Sequence, residues 1–319
     1  MKAYALRRLL ALIPTLLIAS VIVFFVIRLI PGSVIDLMLS ENDFSNDATS
    51  REQLIAALGL DTPLIYQYFK WIFGIIVHAD FGRTLWQDTP VIDEIWARLP
   101  ITFELGVVSM LFALIVSIPI GVYSAIRQET IGDYAGRTFS ILALAIPSFW
   151  LGTLVVLLPS LWWGWSPPIT IVPFTEAPWE NIKTYIAPGM ILGLSLSAVT
   201  MRMTRTMMLE VLRQDYIRTA WAKGLTEKIV VLRHALKNAL IPVITIIGLQ
   251  IPVLIGGTVI MEQIFVIPGM GQLLLESVST RDYPIITGIF LIVGTGVALI
   301  NLLIDLCYGF LDPKVRFDK

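Results

Sequence analysis

Residues 201–245 read MRMTRTMMLEVLRQDYIRTAWAKGLTEKIVVLRHALKNALIPVIT, and the rest of the chain is organised around them. They lie between long apolar runs and hold the densest basic cluster of the protein: Arg202, Arg205, Arg213, Arg218, Lys223, Lys228, Arg233 and Lys237. The pattern is helix, turn, helix. Ile217, Ala220, Trp221, Gly224 and Leu225 fall at the i, i+3, i+4, i+7, i+8 spacing of one helical face. Gly224 is placed to end that helix, because a left-handed residue after a helix costs glycine little. Thr226 is placed to cap the next helix, with Glu227 near its positive end. That second helix leads through Ile241-Pro242 into a new apolar run. Two readings of the segment stand side by side: a surface loop whose arginines set topology, and a rigid hairpin held between two spans.

Working outward, composition sets the class. Of 319 residues, 56% are hydrophobic and 15% are charged, far from an ordinary soluble domain. A helix that crosses a bilayer needs about 20 predominantly apolar residues. Such runs lie at 9–30, 101–126, 138–161, 187–208, 239–261 and 285–310. Inside a bilayer every backbone polar group must be satisfied within the protein, so these runs are helices. The expected fold is an all-α integral membrane protein with six transmembrane helices. Prolines 14, 119, 147, 159, 188, 242 and 252 interrupt the spans, which favours a packed bundle whose neighbours satisfy the freed carbonyls. The first run follows a basic start (Lys2, Arg7, Arg8). It is too long for a signal peptide and lacks a following small-x-small cleavage site, so it reads as an uncleaved first span.

Orientation follows from lysine and arginine. With the N-terminus inside, inner segments carry Lys2, Arg7, Arg8, Arg127, Arg137, the eight of the hairpin, and Lys314, Arg316 and Lys319; outer segments carry only seven of the 23. Both termini and the hairpin are therefore expected in the cytoplasm. The expected organisation is a first helix at 1–30, an extracytoplasmic insertion at 31–100, a five-helix core at 101–310 with the hairpin at 209–238, and a tail at 311–319. Within the insertion, helices are expected at Thr49–Leu58, stopped by Gly59, and from Pro63 to about Val77, with proline in the first turn and Asp61 or Thr62 as cap. The aromatics Tyr66, Tyr68, Phe69, Trp71 and Phe73 share no clean stripe, and part of that helix is expected at the headgroup zone.

The hairpin also carries a resemblance. DYIRTAWAKGLTEKIVVLRHALKNALIPVIT resembles the cytoplasmic EAA loop of ABC importer permeases, in the form of the dipeptide/oligopeptide family, first membrane subunit. Aligning the motif's glycine to Gly224 places Arg218, Thr219 and Ala220 at the EAA positions and His234, Leu236 and Lys237 at the I, L and P positions. Ala220, Gly224 and Leu236 match; the departures resemble the TA-x-AKGL and HALxNA of the peptide subfamily. The resemblance extends to Phe265, Pro268, Gly269, Gly271, Leu273, Leu274, Arg281, Asp282, Tyr283 and Pro284, which are similar to the F-x-x-PG-x-G-x-LL…RDYP segment, and it covers nearly the whole chain. IPGSV and His78-Ala79-Asp80-Phe81-Gly82 depart from the family's usual IPGDP and GDxG.

The resemblance implies an ABC type I importer permease fold and a transport subunit, not an enzyme. It implies as partners a second related permease, two P-loop ATPases and an extracytoplasmic binding protein, and as substrate di- or oligopeptides. It implies that Asp215-Tyr216-Ile217-Arg218-Thr219-Ala220-Trp221-Ala222-Lys223-Gly224-Leu225 is the coupling element to the ATPases, with Ile217, Ala220 and Trp221 as its packing face.

The residues themselves offer no catalytic, cofactor or metal site. No G-x-x-x-x-G-K-[ST], H-E-x-x-H or G-x-S-x-G occurs, Cys307 is the single cysteine, and His78 and His234 fall on opposite sides of the expected topology. Ionisable residues within spans are functional candidates by default. Asp305, Arg202 and Arg205 are read so, at the inner ends of their spans, with an ion pair from Asp305 to Arg202 or Arg205 as the expectation. An ion-driven secondary transporter would require mid-membrane carboxylates and inverted repeats, and a non-transport scaffold would leave the hairpin without a task; these two alternatives stay open on the residues alone.

Overall fold

The computed structural model describes residues 2–29, 32–41, 48–57, 60–168 and 170–311. The helices in chain order are α1 (Lys2–Arg28), α2 (Val34–Glu41), α3 (Ala48–Ala57), α4 (Leu64–His78), α5 (Val91–Ile126), α6 (Ile131–Ala145), α7 (Ser148–Trp163), α8 (Pro178–Leu212), α9 (Asp215–Ala222), α10 (Glu227–Ile229), a π-helical turn (Val230–Ala235), α11 (Leu236–Phe265), α12 (Met270–Thr280) and α13 (Tyr283–Leu311). Among the described residues, five helices are long and apolar enough to cross a membrane. A sixth crossing exists if α6 and α7, which meet at 87°, are one broken span.

That bend corrects the continuous helix expected over 138–161. Proline's ring disfavours helical backbone at the preceding residue, and Ile146 is extended (φ −89°, ψ 117°). Pro147, itself extended, then opens α7. Pro63 likewise stands before α4, not in its first turn. Gln67 Nε2 donates to the Thr62 carbonyl (2.8 Å). The helix expected at Thr49–Leu58 is Ala48–Ala57, and Leu58 and Gly59 lie outside the described residues.

The chain divides into two compact units. Among the described residues, one comprises Ile101–Ile267 with 300–311, the other Lys2–Pro100 with Pro268–Leu299. In the first, one core is built from Leu105, Tyr185, Leu192, Leu196, Leu254, Met261 and Phe265 on α5, α8 and α11. Small residues let these helices approach closely, as membrane bundles require. A Cβ added at Gly193 would lie 2.5 Å from the Ser109 carbonyl oxygen, and one at Gly189 2.7 Å from Val108 Cγ1. In the second unit, Val91 and Ile95 pack with Met270, Leu273, Ile285 and Ile289. A smaller cluster gathers Val34, Ile35, Met38 and Leu39 with Leu85, Trp86 and Tyr283. On α4, Tyr68 is buried against Phe24 of α1, whereas Tyr66, Phe69 and Phe73 are exposed.

Candidate functional site

The hairpin folds as its residues dictate. Asp215 stands in the first turn of α9, near the positive end of the helix dipole. The helix ends in a complete Schellman turn: Gly224 N–H donates to the Trp221 carbonyl (2.9 Å), and Leu225 N–H reaches back to that of Ala220 (3.4 Å). Gly224 adopts φ +75°, the left-handed conformation the sequence assigns to it. Thr226 precedes α10 as expected, but its side chain makes no capping hydrogen bond. The next turn is π-helical, with Leu236 N–H bonded to the Val231 carbonyl, before α11 continues.

Ile217 and Ala220 bury one face of α9 against Val122 and Ala125 of α5, Met208 of α8, Val230, Val231 and Ala235 of the π turn, and Ala239 of α11. Trp221 does not share that face. It is 45% exposed, as is Tyr216 at 43%, which corrects the expected packing stripe. A helix of eight residues has room for two inward positions about one turn apart, and a third large side chain is left outside. The outward face thus carries Tyr216, Arg218, Thr219, Trp221, Ala222 and Lys223. Arg218 pairs with Asp215 on the surface (3.1 Å), Tyr216 Oη accepts from Asn238 (2.8 Å), and Arg127, just after α5, reaches Glu227 (3.2 Å).

Arg205 lies seven residues before the end of α8. Its guanidinium grips Asp133 with two bonds, Nε to Oδ1 (2.9 Å) and Nη2 to Oδ2 (3.0 Å). Arg202 is exposed, and the Asp305 side chain lies outside the described residues. Asp133 also accepts from Arg137 Nη2 (3.0 Å), from Glu129 N–H (3.1 Å) and from the Ser124 hydroxyl. Sequence reasoning missed it, although Thr130-x-x-Asp133 is a helix-start signature, and Thr130 does accept from Asp133 N–H (3.4 Å). Glu104 inside the second apolar run was missed as well. It accepts from Asn181 Nδ2 (2.8 Å), and Glu262, fully buried, accepts from Thr102 (2.7 Å). Glu104 lies within α5, its partner Asn181 stands in the first turn of α8, and Glu262 lies in the last turn of α11. Among the described residues, no three His, Cys, Asp or Glu side chains converge as a metal site would require.

The arrangement is that of a short, rigid helix with a buried footing and an exposed aromatic and basic face. Residues 117–317 match the family described as "Binding-protein-dependent transport system inner membrane component". The chain belongs to that family. Residues 1–106 match its companion, "Binding-prot-dependent transport system membrane comp, N-term". The dipeptide transport system permease protein DppB of Escherichia coli (strain K12) is 38% identical over 342 aligned positions, covering 100% of both chains. The oligopeptide transport system permease protein AppB of Bacillus subtilis (strain 168) is 42% identical, covering 99% of this chain and 100% of its own. Among solved structures, the MetNI methionine ABC transporter in inward-facing conformations aligns with a TM-score of 0.54 at 16% identity, covering 69% of this chain and 96% of that one. This last likeness bears on the fold alone. As a member of the family, the chain is a multi-pass inner-membrane permease, a transport component that works with ATPase and substrate-binding partners and is not itself an enzyme.

Proposed function

We propose that this chain is one of two membrane subunits of a peptide importer, and that α9 is the element through which ATP-driven motion of its partners reaches the spans. The full-length identity to permeases named for dipeptide and oligopeptide transport supports the substrate class. The observation that carries the coupling role is the division of α9. Ile217 and Ala220 root it in the ends of α5, α8 and α11, while Tyr216 and Trp221 are exposed on the other side. A push on the exposed face is then delivered to the bundle, because a packed helix stopped by a Schellman turn moves as a body. Aromatic side chains of this kind are typical anchors of protein interfaces. The assembly contains a second, related permease, two P-loop ATPases and an extracytoplasmic binding protein that selects the peptide. The lysine and arginine distribution supports a cytoplasmic hairpin and an extracytoplasmic segment 31–100.

The test is to tag the chain, extract it in mild detergent from its native membrane, and identify by mass spectrometry what accompanies it. A second six-span permease and P-loop ATPases are expected, and the associated binding protein then narrows the substrate. A chain that emerges alone or only with copies of itself overturns the proposal and promotes an ion-driven transporter.

A further inference from the structure

Asp133 belongs neither to the hairpin nor to its buried footing, yet its carboxylate draws together the three helices beside them. Ser124 comes from the last turn of α5, Arg137 from α6 itself, and Arg205 from α8, seven residues before α8 ends at Leu212. The backbones are close at the same level. A Cβ added at Gly121 of α5 would lie 2.8 Å from Thr204 Cβ and 2.9 Å from the Met201 carbonyl of α8, and one at Gly136 of α6 would lie 3.0 Å from Met201 Cε. The residues on which α9 rests are immediate neighbours of this node: Val122 and Ala125 flank Ser124, and Met208 lies one turn beyond Arg205.

We propose that Asp133 is a positioning residue for coupling. It clamps the ends of α5, α6 and α8 into one platform, so that displacement of α9 shifts three helices together and does not bend one of them. The chemistry suits a clamp better than simple charge neutralisation. A guanidinium makes two parallel bonds to one carboxylate and so fixes orientation as well as distance, which a lysine ammonium cannot do. Ser124 Oγ also accepts from Arg205 Nε (3.1 Å), so the α5 hydroxyl sits inside the fork. The inference rests on the coupling role proposed for α9.

The experiment uses the assembled transporter in liposomes, with its binding protein loaded with a labelled dipeptide, and reads peptide accumulated per ATP hydrolysed. Asp133→Asn and Arg205→Lys are each expected to lower that ratio roughly tenfold, inside the range usual for coupling between sites. Asp133→Glu, which keeps the charge on a longer arm, recovers part of it. Gly224→Val serves as the reference lesion in α9. If it lowers the ratio while Asp133→Asn and Arg205→Lys keep the wild-type value, the clamp is refuted and the coupling role stands. If Gly224→Val also keeps the wild-type value, the coupling role fails and the clamp with it. Lower recovery of complex at an unchanged ratio marks Asp133 as merely structural and overturns the proposal. Should Asp133→Asn not assemble, Arg205→Lys decides on the same ratio.

Discussion

Asp133 and Asp282 are both buried, at 0% and 3% exposure, and they are held in opposite ways. Asp133 meets two guanidiniums, those of Arg205 and Arg137. Asp282, immediately before α13, takes the Leu85 backbone N–H on Oδ2 (3.0 Å), close to where the Trp86 indole donates to the Thr280 carbonyl (3.0 Å). Burial pushes the Asp282 carboxyl up to about 6, and backbone N–H groups of Leu85, Ile285 and Trp86 only partly oppose this. The difference teaches that burial makes a charge costly, whereas the partner decides whether the site serves as an ionic clamp or as a titratable latch. The clamp ties helix ends next to the hairpin; the latch ties the 80–90 turn to the start of α13.

The sharpest way to break this comparison is to remove the clamp's carboxylate. Asp133→Ala leaves Arg205 and the Ser124 hydroxyl facing an emptied site, and losing one partner of a buried ion pair costs about 3–5 kcal/mol. Thermal unfolding in detergent should show the largest destabilisation of the substitutions considered; a midpoint near wild type would remove the distinction between the two aspartates. Asp282→Asn should act through pH. The folded chain keeps the Asp282 proton up to about pH 6, while an unfolded chain releases it near pH ~4. Over that window the folded state binds more protons, so this contribution to stability is greatest below ~4, declines as pH rises, and is flat above about 6. The gap in unfolding midpoint between variant and wild type should therefore change between about pH 4 and about pH 7; a constant gap would show that Asp282 does not titrate as a latch. The smallest effect belongs to the same charge types at the surface. Arg218→Ala breaks the exposed pair with Asp215 and should shift stability by no more than about 0.5 kcal/mol. A loss comparable to that of Asp133→Ala would mean that exposure does not separate the two ion pairs.

The spans were legible because a run of about 20 apolar residues has one stable answer in a bilayer. The Gly224 turn was legible because its glycine, its helical spacing and its capping position agree. Which proline breaks a helix was not. Pro14, Pro159, Pro188, Pro242 and Pro252 all sit inside continuous helices, while Ile146-Pro147 opens an 87° bend. Whether a freed carbonyl finds another donor depends on neighbours brought from elsewhere in the chain. The same limit hid the partner of Arg205, which lies 72 residues away. Trp221 was misplaced because helical spacing reports direction without saying how many positions a short helix can bury. Glu104 was overlooked although it stands in the open within its apolar run. It pairs with Asn181 of α8, as Glu262 of α11 pairs with Thr102 of α5, so each carboxylate finds its partner on another helix.

The π-helical turn at Val230–Ala235 has a consequence for how the gene can vary. A π turn accommodates one residue more than an α turn, so α9 and α11 are kept in phase by residue count as well as by side-chain identity. Losing or gaining a single codon within 230–235 would turn the hairpin by about 100° about the α11 axis, swinging Ile217 and Ala220 off their footing. No point substitution imitates that change. The length of this turn is thus a sharper constraint on drift than its composition, and a lineage could exchange its valines for other apolar residues far more readily than it could alter their number.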